Sequence, residues 1–431
     1  MRRRVLLIAY HFPPEPAAGA LRPSYLAKYL PQSGWDVTVL TRALPEHRSA
    51  QYRTIEARTL GERFERSVRG VLDANRSDAN PEAVPPLRRL LRWVKSSAFF
   101  PDRTAGWIPA AVSRAVLATR AERYDAVLST AMPASVHVVG YVVAAIARLA
   151  WVADYRDPWS GNAYAGWGPV QRALQHALET RLIRRANAIT TISPPIAALL
   201  GSIHHRHVTV IQNGADPDDW DGLEACVPQR FSLCYTGSMY DGYRTPEMLF
   251  EALAALRSAG DPAGDTTVDC YGPNSDHVGE LARRYGIENS ILQHGTVPRR
   301  EALAAQRRAS DLLIFLNMAE STSHELGSKV FEYAGAGRPI VAFGPAGSVM
   351  REYLAQRGLG WFASDVTQAV RALKEAHRRF ESGLRTLEVA PGTIFTARDL
   401  AAGFAETLEA VTSPASTFSG RQHPAFRQSA R

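Results

Sequence analysis

Lys329, Glu332 and Tyr333 stand at i, i+3 and i+4, a spacing that sets a cation, a carboxylate and a phenol on one face of a helix. Gly327 ahead of them lets the backbone turn, and Ser328 is a good N-cap. A helix start with free N–H groups, a lysine and a following carboxylate can hold a diphosphate and a ribose together, which suggests a nucleoside diphosphate ligand. Gly335 and Gly337 stop the helix. Pro339 then opens the apolar run 340–343 expected of a strand in a parallel sheet covered on both faces.

A second group lies in the first half of the chain. Residues 151–159 read as a strand ending in charge, with Asp154, Arg156 and Asp157 at the carboxyl end, where doubly wound sheets place ligands. A self-satisfied Arg–Asp pair bracing a loop is the competing reading. Gly19, in the loop after the first strand, suits either close backbone approach to a ligand or a simple turn. The alternating carboxylates of 216–221 do not read as a metal site, because a turn followed by acidic residues before Gly222 is what an exposed linker looks like.

The elements that must position these residues follow from composition and periodicity. At 431 residues, 45% of them hydrophobic and 21% charged, the chain is too long for one ordinary core. A net charge of +8 allows nucleic acid, an anionic membrane surface or phosphorylated small molecules as partners. Nucleic acid is the weakest of these, since the arginines are not interleaved with aromatics along one module. Cys226, Cys234 and Cys270 lack CxxC spacing, so neither a disulfide framework nor a zinc site is indicated, and a reducing, cytoplasmic compartment is expected. The longest apolar segment, 138–147, is too short to span a bilayer.

Strands and helices alternate from residue 5 onward, with strands expected at 5–10, 37–41, 125–130, 151–159, 188–192 and 208–212. The pattern is irregular and arginine-rich over about 43–107. There, 85–95 reads as a basic amphipathic helix whose Arg88, Arg89, Arg92 and Lys95 either meet an anionic membrane surface or are solvated while the apolar stripe packs inward. A second alternation starts at Phe231, with strands at 267–271, 291–294, 311–316 and 339–343. The expected organisation is a Rossmann-like domain over 1–216, a linker 217–230, a second doubly wound domain 231–390, a helix 391–411 packing back on the first domain, and a disordered tail 412–431.

Taken together, the two doubly wound domains, the glycine-bearing first loop, the 210–216 segment, Lys329–Tyr333 and Gly337–Ala342 resemble the GT-B glycosyltransferases of retaining family 4, over roughly residues 3–411. His11–Pro14, Phe100–Arg103 and Asp154–Trp159 are similar to a bacterial branch associated with surface polysaccharide assembly. The resemblance implies an α/β GT-B fold of two facing Rossmann-like domains with an interdomain cleft. It also implies transfer, with retention, of a sugar from a nucleotide diphosphate donor to a hydroxyl of a saccharide or lipid-linked acceptor. That chemistry would be cytoplasmic or on the inner face of the cytoplasmic membrane, and no metal cofactor is expected, because fixed cations can carry the leaving-group charge.

By the same resemblance Glu332 binds the donor ribose, and Lys329, Gly327, Ser328, Gly237 and Arg244 lie at the diphosphate. His294 and Val297 lie beside the nucleobase, and Gly272 and Gly19 are among the loops on the donor. Asp157, with Asp154 and Arg156 around it, falls near the acceptor-side strand where other members place a histidine, and is the candidate for positioning or deprotonating the acceptor. One departure stands out. The family carries a further glutamate eight residues before the Glu332 position, where this chain has His324, with Glu325 one step later as the candidate replacement. That displacement keeps open a non-catalytic nucleotide-sugar-binding scaffold, and the shared two-domain architecture keeps open a nucleotide-sugar epimerase.

Overall fold

The computed structural model describes residues 2–15, 17–44, 52–59, 100–162, 165–224, 226–239, 244–319, 323, 326–387 and 392–413. The chain divides into two compact units, residues 1–212 with the segment from Leu400 on, and residues 213–399. The basic segment carrying Arg88, Arg89, Arg92 and Lys95 lies outside the described residues, as do His324, Glu325 and the tail from 414 on.

In the first unit the order is β1 (Arg3–Ile8), α1 (Ala18–Tyr29), β2 (Trp35–Arg42), β3 (Thr54–Ala57), α2 (Ile108–Ala121), β4 (Ala126–Ala131), α3 (Ser135–Ala147), β5 (Ala150–Tyr155), α4 (Pro169–Ile183), β6 (Ala188–Thr191), α5 (Pro194–His204) and β7 (Thr209–Val210). The strands pair in the order β3-β2-β1-β4-β5-β6-β7, all parallel. Central strands such as β1 and β4 read as unbroken apolar runs because helices cover both faces, and Val5 to Ile8 are fully buried. The strand order reverses between β1 and β4, and that reversal opens a crevice at their carboxyl ends.

In the second unit β8 (Ser232–Thr236), α6 (Glu247–Ser258), β9 (Thr267–Tyr271), α7 (Asp276–Arg284), β10 (Ile291–Gly295), α8 (Arg299–Arg308), β11 (Asp311–Phe315), α9 (Lys329–Gly335), β12 (Ile340–Phe343), α10 (Val349–Arg357), β13 (Gly360–Ala363) and α11 (Val366–Glu381) form a second doubly wound layer. Its strand order, β10-β9-β8-β11-β12-β13, is again parallel throughout, with the reversal between β8 and β11. α12 (Ala397–Thr412) leaves the second unit and joins the first, where Gly403 lies against Ile211 and the Phe404 ring sits 5.0 Å below the Arg22 guanidinium.

Three local expectations are corrected. The acidic 216–221 stretch is not an exposed linker, because Asp216 caps the short 3-10 turn Pro217–Trp220 and Trp220 is buried in the core of the second unit. Gly335 does not stop α9 by its backbone freedom. A Cβ there would lie 2.3 Å from the Trp220 ring, so this glycine makes room for the tryptophan, and the chain turns instead at Gly337, φ +71°. Ser328 has helical angles and makes no side-chain cap. β3, β13, α2, α5 and α10 were not anticipated. The two strands are four-residue edge strands, and α2 abuts the irregular basic stretch.

The first unit is tied together by a buried charge pair. Asp154, at the end of β5, is fully buried; it accepts from Arg22 Nε and Nη2 at 2.9 Å each, from Thr130 Oγ1 at 2.7 Å and from Thr190 Oγ1 at 2.8 Å. Arg22 also donates to the Ile211 and Gln212 carbonyls, so one guanidinium joins α1, β5 and the end of the sheet. Burial works to raise the Asp154 carboxyl, but Arg22 and the two threonines outweigh it and hold it below the usual range. Removing one partner leaves the other charge buried alone, so Asp154→Ala is expected to cost about 3–5 kcal/mol in urea unfolding of the first unit. An Arg22→Met/Asp154→Leu double variant is expected to recover most of that loss.

The second unit carries a buried charge of the opposite economy. Burial pushes Asp311, at the start of β11, up to about 7 against the lowering pull of Arg379 and Arg338, and one of its oxygens has no hydrogen-bond partner. A carboxyl whose folded pKa lies above its unfolded value binds an extra proton on folding, so stability falls as pH rises from the unfolded value, about 4, to about 7 and stays reduced above it. Asp311→Asn is therefore expected to raise the melting temperature at about pH 8 and to leave it unchanged at about pH 4. Scanning calorimetry at the two pH values checks this.

Candidate functional site

The carboxyl ends of β8, β9 and β10 are made of bare backbone. Gly237 follows β8 at φ +145° and Gly272 follows β9 at φ +153°. A Cβ on Gly272 would fall 2.1 Å from the Gly237 carbonyl oxygen, and one on Gly237 would fall 2.7 Å from Lys329 Nζ. The strand ends are stitched by Gly237 N–H to the Tyr271 carbonyl at 2.7 Å and Gly272 N–H to the Gly295 carbonyl at 2.9 Å. No side chain other than hydrogen fits at either position while Lys329 lies where it does.

Lys329 opens α9 and reaches back across the sheet end, donating to the Thr236 carbonyl and lying 5.7 Å from the Tyr235 ring and 5.9 Å from the Tyr333 ring. Burial lowers its ammonium below the ordinary lysine range; Arg244 and Arg299 push the same way and Glu332 opposes them. The residue thus carries a charge that its surroundings compensate only in part.

Glu332, one turn later, is held at both oxygens. Arg299 Nη1 donates to Oε2 at 2.8 Å and Gln306 Nε2 donates to Oε1 at 2.6 Å. Gln306, 1% exposed, also donates to Thr236 Oγ1 at 3.0 Å, and Tyr333 meets the same threonine at its N–H and Oγ1. Arg299 reaches on to Asp219, which burial raises above the usual carboxylate range. For Glu332 burial also works upward, but Arg299 and Lys329 prevail and keep it ionised below the usual range. α9 is seven residues long, too short for a strong macrodipole, so the positive field at this site is supplied by Lys329, Arg244 and Arg299 rather than by the helix start.

Beside the glycines lies an aromatic platform. The rings of Tyr271 and His294 stack at 4.3 Å and 9°, and His294 Nε2 lies 2.7 Å from Asp269 Oδ1. A small pocket next to it is lined by Tyr235, Gly237, Tyr271, Gly272, Pro273 and Gln293. Val297 is half-buried in the loop between β10 and α8. Gly327, φ +63°, and Ser328 lead into α9. Sequence reasoning thus found Lys329, Glu332, Gly237, Gly272 and His294 as one neighbourhood. It missed Arg299, Gln306, Tyr271 and Asp219, which carry no motif and reach the site only through folding. The one available signal was Gln306, a polar residue on the apolar stripe of α8.

In the first unit the strand-end residues separate. Asp154 is fully buried and all its neighbours are internal, so the self-satisfied reading holds for it, with Arg22 rather than Arg156 as the partner. Arg156 is spent on backbone, donating to the carbonyls of Ala131, Met132 and Gly19. Gly19 is packed from inside, because a Cβ there would lie 2.9 Å from Arg156 Nη1. Asp154 is fully buried and Arg156 is half-buried with its guanidinium on backbone carbonyls, whereas Asp157 is exposed just past the end of β5. Among the described residues no group of three His, Cys, Asp or Glu side chains is placed to hold a metal ion, and no helix is long and apolar enough to cross a membrane.

Two family models match the chain one after the other. The family described as Glycosyltransferase Family 4 covers residues 24–219, and that described as Glycosyl transferases group 1 covers residues 230–379. No curated protein sequence matches. Among solved structures, a glycosyltransferase from Rickettsia africae ESF-5 superposes with a TM-score of 0.63 at 12% identity, over 96% of this chain and 100% of its own. The lipopolysaccharide outer core galactosyltransferase WaaB gives 0.58 at 13%, over 94% and 99%. Sucrose-phosphate synthase from Thermosynechococcus elongatus gives 0.56 at 16%, over 95% of each chain. At such identities these structures establish the fold and leave the substrate open. The two sequence models supply the chemistry: the chain belongs to glycosyltransferase family 4, has the GT-B fold and uses a nucleotide-sugar donor.

Proposed function

We propose that the second unit binds the nucleoside diphosphate of the donor at the ends of β8, β9 and β10, and that the first unit receives a hydroxyl acceptor near Asp157. The observation that carries this reading is the half-buried Lys329 ammonium against bare backbone at Gly237, with Arg244 and Arg299 lowering it further and Glu332 on the same helix face. A diphosphate supplies the negative charge this cluster is short of, and bare backbone lets it approach closely. Glu332, oriented by Gln306 and Arg299, accepts from the ribose hydroxyls, and the Tyr271–His294 stack receives the base.

In the transfer the bond from the anomeric carbon to the diphosphate oxygen breaks, a bond to the acceptor oxygen forms, and the acceptor hydroxyl loses its proton. The nucleoside diphosphate leaves with the electron pair. Lys329, Arg244 and Arg299 stabilise that developing charge, and this supports a reaction that proceeds without a metal. Asp157 is the group offered for positioning or deprotonating the acceptor. Retention of configuration, and a place in surface polysaccharide or glycolipid assembly at the inner face of the cytoplasmic membrane, rest on the resemblance of the His11–Pro14, Phe100–Arg103 and Asp154–Trp159 segments. A galactosyltransferase of lipopolysaccharide outer core is among the similar structures.

Calorimetric titration with UDP, GDP and inorganic pyrophosphate tests the donor half. Lys329→Ala is expected to weaken all three by about ten- to a hundredfold, the loss of one charge-assisted contact. Glu332→Ala is expected to weaken the two nucleotides and spare pyrophosphate; unchanged nucleotide affinity in both variants would overturn the assignment. Asp157→Asn tests the acceptor half: transfer is expected to fall by about two orders of magnitude, typical for a lost general base, with nucleotide affinity unchanged.

A further inference from the structure

α4, Pro169–Ile183, packs Leu178, Leu182 and Ile183 into the core, buries two polar side chains beside them, and leaves an apolar stripe outside. The face turned to the core carries Gln175 and Glu179, both fully buried. Gln175 accepts from Trp159 Nε1 at 2.7 Å, while Glu179 accepts from Tyr155 Oη at 3.0 Å and the Ser160 N–H at 2.8 Å and faces His204 at 3.4 Å. The face turned to solvent carries Val170, Ala173, Leu174 and Ala177, at i, i+3, i+4 and i+7, with Val170 67% and Leu174 56% exposed. The same outer line runs on into exposed Arg181 and, past the helix end, Arg184 and Arg185. Glu179 is the only carboxylate of the segment 169–185, and it points inward, so every formal charge this helix shows to solvent is positive. Among the described residues Arg181 and Arg184 form no ion pair, and the Arg185 guanidinium lies 5.8 Å from the Tyr141 ring centroid.

We propose that this outer face of α4 is an interfacial surface that lies on an anionic lipid bilayer, with Val170 and Leu174 entering the headgroup boundary and the three arginines meeting lipid phosphates. An apolar stripe continued by basic residues, on a convex helix, suits an interface that deforms around it. The long arginine stems cover apolar surface while their heads reach charge. A second copy of the chain would set arginines against arginines, and a protein partner would have to bring a concave acidic groove. The surface belongs to the first unit and differs from the Arg88–Lys95 segment. It also stands independently of the donor reading, which involves residues of the second unit alone.

Cosedimentation of the full chain with phosphatidylcholine vesicles, with and without phosphatidylglycerol, tests the proposal. Binding is expected only with phosphatidylglycerol, and is expected to weaken as salt rises. Val170→Gln/Leu174→Gln and Arg181→Glu/Arg184→Glu/Arg185→Glu are each expected to lower partitioning about tenfold or more, with unchanged melting temperature and unchanged UDP and GDP affinity. Vesicle binding that is the same in both variants and in the wild type, or that is lost only on charge reversal of Arg88, Arg89 and Arg92, overturns it. So does a wild-type chain that ignores vesicles and sediments as a dimer dissolved by the Val170/Leu174 variant.

Discussion

A lysine ammonium lying against the end of a parallel strand constrains most of the second unit. Because Lys329 Nζ meets the Thr236 carbonyl, residue 237 has no room for a side chain; because Gly237 turns as it does, its carbonyl fills the space a Cβ on residue 272 would need. Gly272 in turn bonds to Gly295, so three consecutive strand ends are set by one cation. The same cation sits half-buried beside two guanidinium groups, an arrangement that charge repulsion and desolvation both disfavour. Such a cluster is tolerated where a counter-charge arrives from outside, and a doubly wound sheet offers that opening at its topological reversal.

The first unit has the same topology and resolves its charges the other way. Asp154 and Arg22 form a buried pair with both carboxylate oxygens and two backbone carbonyls satisfied, and Arg156 is consumed by three carbonyls. Nothing in that network asks for a ligand. Burial with complete satisfaction fixes the strand ends and the loop around Gly19, and leaves Asp157 as the group presented at the edge. Two sheets of like order therefore differ in where their charges are balanced, completely by internal partners in one and only in part in the other.

Legibility of the sequence followed that division. Strands buried on both faces, such as β1, β8, β11 and β12, announce themselves as apolar runs, so the alternation could be read directly, as could the shared helix face of Lys329 and Glu332, whereas Gly237 and Gly272 joined them only through the family resemblance. Asp154 could not be sorted from Asp157, because three residues of sequence separate a wholly buried carboxylate from an exposed one and only the partner 132 positions away decides which is which. Arg299 and Gln306 were equally silent, since nothing near them in sequence says that they converge on Glu332. Trp220 misled in the opposite direction. An acidic turn surrounds it, and its burial depends on a glycine 115 residues later that leaves space for the ring.

The brevity of α9 sharpens the electrostatic argument. A helix of seven residues contributes little field, so on the proposed donor reading a departing diphosphate is met by discrete cations. Lys329, Arg244 and Arg299 stand against Glu332 and Asp219, which leaves one positive charge in the cluster before any ligand enters. Arg299 is the hinge of that balance, because it pairs with both carboxylates at once. Ribose hydroxyls donating to Glu332 can relieve the arginine of part of its pairing and free it to face the diphosphate. Recognition of the sugar ring of the nucleoside and stabilisation of the leaving group would then draw on a single guanidinium, so that the cluster reaches its full positive field only when both halves of the nucleotide are present.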